Sequence, residues 1–192
     1  MSIHDFKNQM NEWGRERVPF LFVIDFEMQK PWIKRLDEID PGKVLYAING
    51  VSNEMCEVVG QDQLFIQEIN PVPFLEYQKK FDFVFERLQY GDSFLVNLTI
   101  KNEIKLMAPF KTIFHNSKAK YKLLFDDEFL CFSPEIFVQI RDGKIFSYPM
   151  KGTIDAAVQD AAHVILTDQK ELAEHVTIVD LIRNDLSLVA ND

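Results

Sequence analysis

Apolar residues at three- and four-residue spacing predict the helices of this chain. The clearest pattern follows Pro73 and ends at Gly91, a residue type that commonly terminates helices. The last pattern begins at Asp168, which with Glu171 three positions later is typical of a capping box. Its later turns are apolar on nearly every side, so we expect that helix to be buried. The predicted helices are 2 to about 16 with Ser2 as its cap, Pro73 to Gly91, 110–117, and Asp168 onward.

Short apolar runs bounded by Pro, Gly, Asn or Asp predict the strands. Asn49-Gly50 ends one run, and Asp142-Gly143 joins two others as a tight hairpin turn. Asn97 stands in the middle of the run over 93–100, where a buried asparagine usually satisfies a core hydrogen bond rather than binding a ligand. The predicted strands are 20–26, 44–48, 63–69, 93–100, 121–125, 129–132, 137–140 and 144–148.

The composition is that of a globular protein. The 192 residues can bury a core in one domain, and 47% hydrophobic content with 17 Phe argues against disorder. A net charge of −9 without any basic run argues against nucleic acid or an acidic membrane as partner. Cys56 and Cys131 lack metal-binding spacing and suit reduced thiols. Because no signal peptide or membrane span is predicted either, we expect a cytoplasmic protein.

Lys151 stands at a glycine-opened bend directly after the predicted strand 144–148, in the stretch Tyr148-Pro149-Met150-Lys151-Gly152-Thr153. Glu135 stands at the start of the same hairpin, so the turn at Asp142-Gly143 can bring both side chains to one end. Such an acid and amine can form a structural ion pair, or can act as proton donor and nucleophile or base. The residues alone leave both interpretations open.

A pair of acids on the last predicted helix suggests a metal site. Glu171 and Glu174 lie about one turn apart, so their carboxylates can converge on one divalent cation. Glu171 has an alternative role in the capping box, whereas an unpaired Glu174 inside an apolar helix would be costly. Carboxylate oxygens favour Mg²⁺ over zinc. His175 could support these ligands, and Asp180 and Arg183 are expected to form a local ion pair.

Four motifs in order resemble the chorismate-utilising enzymes, and they cover roughly residues 75 to 190. They are Gly91–Thr99, Phe132–Phe137, Pro149–Thr153 and Glu171–Leu186. The resemblance implies an α+β fold of packed, largely antiparallel sheets flanked by helices. It also implies one chorismate-binding domain over 1–192, in which 1–72 is weakly diagnostic and 73–192 carries the motifs.

The resemblance further implies roles for individual residues. Lys151 would attack C2 of chorismate or otherwise assist displacement at the ring, and Glu135 would be the general acid for the C4 hydroxyl. Glu174, with Glu171, would hold Mg²⁺. Substrate contacts would fall to Gly152 and Thr153, and supporting roles to Asn97, His175, Asp180 and Arg183.

The residue at position 151 separates branches of that family. Relatives that make anthranilate, isochorismate or salicylate usually carry alanine there, so Lys151 points to the aminodeoxychorismate synthases. These convert chorismate and ammonia to 4-amino-4-deoxychorismate, the precursor of p-aminobenzoate, and a glutamine amidotransferase subunit supplies the ammonia. The alternatives are an anthranilate synthase component I and a non-catalytic binding or regulatory domain.

Family members continue for well over a hundred residues beyond the last motif. The resemblance therefore implies a truncated form, without the further metal-binding glutamates and the glycine-rich segment that holds the substrate carboxylates. We expect such a form to expose apolar surface and to associate with a second copy.

Overall fold

The structure is a computed structural model that describes residues 1–54, 65–133, 135–150 and 152–190. In chain order its elements are α1 (Ile3–Glu16), β1 (Phe20–Val23), β2 (Trp32–Arg35), a 3-10 turn (Leu36–Glu38), β3 (Val44–Ile48), β4 (Val51–Ser52), β5 (Ile66–Asn70), α2 (Phe74–Tyr90), β6 (Glu103–Leu106), α3 (Phe110–Asn116), β7 (Tyr121–Phe125), β8 (Phe129–Ser133), β9 (Gln139–Arg141), β10 (Lys144–Phe146), α4 (Ala161–Thr167) and α5 (Gln169–Ser187). All described strand pairs are antiparallel, which confirms the α+β prediction.

The described residues form two compact units. The first comprises Met1–Glu54 and the chain from Ala119 onward, and the second comprises the described residues 65–118. The expectation of one chorismate-binding domain over 1–192 stays a prediction. Among the described helices, none is long and apolar enough to cross a bilayer.

A four-stranded sheet in the order β4-β3-β7-β8 is the centre of the first unit. Asn49 and Gly50, with φ of 49° and 87°, make the tight turn between β3 and β4 that the sequence predicts. The core on this sheet is formed by buried Ile39, Val44 and Tyr46, packed against Leu21, Trp32, Leu36, Leu123 and Phe125.

The beginning of the first unit follows its predicted pattern with one addition. The Ser2 side chain accepts a hydrogen bond from the backbone of Asp5 and caps α1, as expected. β1 is shorter than the predicted strand 20–26, and it pairs with β2, where the sequence predicts no strand. β2 forms because β1 lies close enough to pair with it. Its four residues are too few to show the alternation of apolar and polar residues that would predict a strand.

The second unit corrects one predicted strand. Residues 93–100 form no strand within the described chain, and β5 pairs instead with β6, at 103–106. The Ser93 side chain bonds the backbone of Leu95 in a local turn that competes with a ladder. Asn97 is exposed rather than buried, so the expectation of a core hydrogen bond at this position is wrong. Of the predicted strand 63–69, residues 63–64 lie outside the described residues.

α5 begins where the sequence predicts but does not have the predicted burial. Its apolar side chains remain open, for example Leu172 at 53%, Val176 at 57% and Leu181 at 51% exposure, and none of its described residues is buried. Burial depends on what packs around a helix, and the described elements leave every described residue of α5 at least partly exposed. The expected exposed apolar surface is therefore present, while association of two copies stays a prediction.

Candidate active site

The hairpin of β9 and β10 leads into the residues on either side of Lys151, Tyr148–Met150 and Gly152–Thr153, which are called the lysine segment below. Asp142 and Gly143 have φ of 53° and 72°, the left-handed pair that a two-residue hairpin turn requires. At the open end, Met150 donates its backbone N–H to Glu135 Oε2 at 3.5 Å, a long hydrogen bond. Lys151 lies outside the described residues, as do Pro134 and Cys56. The predicted approach of Glu135 to this end of the hairpin is thus present up to residue 150.

Glu135 is held by its own local turn and faces a cavity. Ser133 Oγ accepts from the Glu135 N–H at 3.2 Å and donates to the Glu135 carbonyl oxygen at 2.9 Å. The cavity measures about 480 Å³, and Lys120 and Arg141 line it together with Glu135 and Met150.

The two cations of this cavity are held by aromatic rings rather than by acids. The Nζ of Lys120 lies 5.3 Å from the centre of the Tyr121 ring, and the guanidinium of Arg141 lies 5.5 Å from that of Phe146. Within the described part of the chain neither cation forms an ion pair. A cavity with one carboxylate and two unpaired cations suits an anionic ligand that also exchanges a proton.

Gly152 brings the lysine segment against the beginning of α5. Its φ of +77° is the left-handed conformation that favours glycine. A Cβ atom at this position would lie 2.8 Å from Glu171 Oε2 and 3.4 Å from Glu171 Cβ. The close approach of backbone to carboxylate therefore requires the absence of a side chain at residue 152.

The Glu171 carboxylate does not take part in capping α5. Asp168 caps the helix by accepting from the Glu171 N–H at 3.0 Å, as predicted. The Asp168 N–H donates to the carbonyl oxygen of Val164 at 3.1 Å, so the return half of the capping box is not formed. The alternative role of the Glu171 side chain as a capping group is therefore not observed.

Lys170 joins the two candidate metal ligands. Its Nζ lies 3.2 Å from Glu171 Oε1 and 3.4 Å from Glu174 Oε1. The hydrogen bond to Glu171, followed by the charges of Glu171 and Glu174, raises the pKa of the Lys170 ammonium above its ordinary value. The two carboxylates thus converge on one cationic atom, which is the geometry that the sequence predicts for them.

The carboxylates of Glu171 and Glu174 are suitable ligands for Mg²⁺, and they form part of a ligand set. Both ligands are oxygens that reach a common point, and Mg²⁺ commonly binds one or two carboxylates while keeping water in its other positions. Among the described residues no group of three or more His, Cys, Asp or Glu side chains gathers into a complete site. Glu171 and Glu174 are therefore the residues that would hold the ion, and Mg²⁺ binding stays a prediction.

An open groove of about 800 Å³ runs between the lysine segment and α5. Tyr148, Pro149 and Met150 line one side, while His175 and Arg183 line the other. His175 thus faces the segment that leads to Lys151, which agrees with a supporting role without testing it.

The remaining predicted residues are Asp180, Arg183, Thr153 and Asn97. Arg183 Nη2 contacts Asp180 Oδ1 at 2.7 Å, which confirms the local ion pair. Thr153 is exposed, and Asn97 belongs to the second unit. Sequence reasoning missed Lys170, although a lysine four positions before Glu174 is a recognisable helical ion-pair spacing. It also missed Lys120 and Arg141, which only the packing of the hairpin brings to the Glu135 cavity.

Residues 8–192 match the family model described as chorismate binding enzyme. The chain belongs to this family. No solved structure matches the chain.

Several curated relatives are longer than the chain. An uncharacterized PabA-like protein of Haemophilus influenzae is 45% identical over 98% of this chain and 57% of the relative. A second PabA-like protein, from Pasteurella multocida, is 43% identical over 99% of this chain and 59% of the relative. Aminodeoxychorismate synthase component 1 of Salmonella typhimurium is 32% identical over 60% of this chain and 28% of the relative. Proteins named anthranilate synthase component 1 match shorter segments. The chain thus spans a little over half the length of the curated PabA-like relatives.

Proposed function

We propose that this chain is part of an aminodeoxychorismate synthase component I, which converts chorismate and ammonia to 4-amino-4-deoxychorismate and water. The observation that carries the proposal is the lysine at position 151, flanked by residues that contact two different carboxylates. Met150 contacts Glu135, and Gly152 contacts Glu171. Relatives whose names contain aminodeoxychorismate synthase or 2-amino-4-deoxychorismate synthase support amination of chorismate as the reaction.

The proposed chemistry divides the work between an acid and an amine. Glu135, in its protonated form, gives a proton to the C4 hydroxyl of chorismate, which leaves as water. The Lys151 amine attacks C2 while the ring double bonds shift and the C4–O bond breaks, or otherwise assists this displacement. Where the C2–N bond has formed, ammonia then attacks C4, the double bonds shift back, and the C2–N bond breaks to release the lysine. The nitrogen of ammonia becomes bonded to C4 and loses one proton, which restores the acid. Chorismate and ammonia thus balance against 4-amino-4-deoxychorismate and water.

The site must also supply positive charge, because the substrate is a dianion and the chain carries a net charge of −9. Lys120 and Arg141 line the same cavity as Glu135 and would attract a substrate carboxylate. Mg²⁺ held by Glu171 and Glu174 would add countercharge to a carboxylate when bound. The acid, the cations and the carboxylate pair all belong to the first unit.

Anthranilate synthase component I is the competing function. Matches to proteins of that name favour it, whereas Lys151 argues against it, since the resemblance expects alanine there in anthranilate-forming relatives. The two reactions give different products from the same substrates, so product identity decides between them.

The test is an ammonia-dependent assay with chorismate and Mg²⁺. A lyase added to the mixture releases p-aminobenzoate from 4-amino-4-deoxychorismate, and emission detects anthranilate. Any p-aminobenzoate formed by the unaltered chain should be lost in Lys151→Ala. Lys144→Ala, which removes an exposed lysine from the same hairpin, should leave the rate unchanged. Anthranilate as the product, or an unchanged rate in Lys151→Ala, would overturn the proposal.

The second part of this test uses a longer protein, because the chain spans only 57% of the Haemophilus influenzae relative. A chimera carries this chain in place of the matching region of that relative, with and without Lys151→Ala. Loss of p-aminobenzoate only in the substituted chimera supports the assignment. Product from neither protein supports the alternative of a non-catalytic binding domain. A glutamine amidotransferase partner is proposed as the ammonia source, and glutamine-dependent activity on adding such a subunit would support it.

A further inference from the structure

We propose that Lys170 is a built-in counterion for Glu171 and Glu174, and that a divalent cation binds these carboxylates by displacing its ammonium group. The inference rests on the metal-holding role given to the two glutamates in the proposed function. It assigns a function to a lysine outside the predicted site, that of setting how tightly the pair holds its ion.

The contacts show one ammonium bridging both acids. Lys170 Nζ lies 3.2 Å from Glu171 Oε1 and 3.4 Å from Glu174 Oε1. Magnesium to oxygen distances are about 2.0–2.1 Å, so an ion bound to both oxygens would occupy the space into which the ammonium points. Two cations cannot share that point without strong repulsion. Metal and lysine are therefore alternative occupants.

Exposure decides which of the three groups moves. The Lys170 side chain is 75% exposed, against 26% for Glu171 and 44% for Glu174. The ammonium can swing into water without breaking a buried contact, because a lysine carries its charge on a long flexible stem. The Glu171 carboxylate is more confined, since its Oε2 lies against the backbone of Gly152. The acids thus stay in place while the lysine leaves.

The counterion has a physical use when no metal is bound. Two carboxylates one helical turn apart repel each other, and an ammonium between them removes the repulsion and keeps both oxygens turned to one point. This contribution lowers the apparent metal affinity, because each binding event must first break the lysine contacts. Two exposed ion pairs of this kind shift such an equilibrium by about two- to tenfold.

The experiment is a titration of the 192-residue chain with Mn²⁺, followed by the electron paramagnetic resonance signal of the free ion. Lys170→Met keeps an unbranched side chain but removes the charge and offers no oxygen ligand. Lys80→Met is the control, because Lys80 also forms an exposed i,i+4 ion pair, with Glu76 on α2 at 3.0 Å, although there the acid precedes the lysine. We expect about two- to tenfold tighter Mn²⁺ binding in Lys170→Met, an unchanged Kd in Lys80→Met, and release of Mn²⁺ by added Mg²⁺.

Three results would overturn the inference. They are an unchanged or weaker Mn²⁺ affinity in Lys170→Met, an equal gain in Lys80→Met, and no binding by either the unaltered chain or the variant. A fourth result would also overturn it: a gain that persists when Glu174→Gln is added to Lys170→Met, because the ion would then bind elsewhere. Circular dichroism checks folding, and Lys170→Ala replaces the methionine variant if that one does not fold.

The proposed function fails separately, on the identity of the product. p-Aminobenzoate that depends on Lys151, together with an unchanged Kd in Lys170→Met, would remove the counterion role and keep the reaction. Tighter Mn²⁺ binding in Lys170→Met, with anthranilate as the product, would keep the counterion role and remove the proposed reaction.

Discussion

Gly152→Ala should destabilise the chain and disturb the Glu171 carboxylate, because two separate constraints meet at this residue. The φ of +77° costs an alanine about 1–2 kcal/mol. The added Cβ would lie 2.8 Å from Glu171 Oε2, so the carboxylate must move. Since that oxygen ends a flexible side chain, its movement costs little stability but shifts one of the two proposed metal ligands.

The expected magnitudes differ for the two effects. A loss of about 1–2 kcal/mol lowers the Tm of a chain of this size by about 2–8 °C. Metal affinity should fall by about tenfold, the usual scale for disturbing a group that orients a metal ligand. Gly143→Ala is the matched control, because its φ is +72° and nothing lies within 4 Å of the Cβ position. It should lose similar stability and keep its metal affinity.

Thermal unfolding and Mn²⁺ titration of both variants provide the test. An unchanged Tm in Gly152→Ala would show that a left-handed conformation is not required there. A Tm that falls as in Gly143→Ala, with an unchanged Mn²⁺ affinity, would show that the contact with Gly152 does not position Glu171.

Two further predictions concern the sheet of the first unit. Asn53 accepts from the Tyr46 N–H at 2.9 Å and donates to the Val44 carbonyl oxygen at 2.8 Å. Asn53→Ala leaves both β3 groups without this partner and should reduce the free energy of unfolding in guanidinium chloride by about 2–4 kcal/mol. Asn53→Asp keeps the acceptor and should lose less, whereas a loss below about 0.5 kcal/mol in the alanine variant would contradict the reasoning. Although Cys131 is exposed as a residue, partial desolvation raises the pKa of its thiol, an effect larger than the opposing hydrogen bond from the Leu123 backbone. In a Cys56→Ser background, iodoacetamide should therefore alkylate Cys131 with a pH midpoint above that of a cysteine peptide, and a midpoint at or below the peptide value would refute this assignment.

Local features of the fold could be predicted because each depends on a few neighbouring residues. Ser2 and Asp168 cap their helices as expected, and Gly91 ends α2 with a φ of 92°. Asp142-Gly143 makes the hairpin turn because few other residue pairs adopt two left-handed conformations at low cost. Side-chain size and backbone freedom decide such features within four or five positions.

The order of the chorismate-enzyme motifs was also enough to predict the family, which the match over residues 8–192 confirms. Helical spacing, rather than the motif order, predicted the convergence of Glu171 and Glu174, because residues three positions apart lie on one face of a helix.

Only the tertiary structure decided the features that depend on a distant partner. β5 pairs with residues 103–106 rather than with the more apolar run 93–100. Strand pairing depends on which backbone groups come within hydrogen-bonding distance, and the apolar content of a run does not determine this. The exposure of α5 likewise depends on what packs around it. The approach of Gly152 to Glu171 joins residues 19 positions apart, and the cavity brings Lys120 to Glu135 and Arg141, which are 15 and 21 positions away in the chain. Sequence periodicity carries no information about such distances, because folding alone brings these residues together.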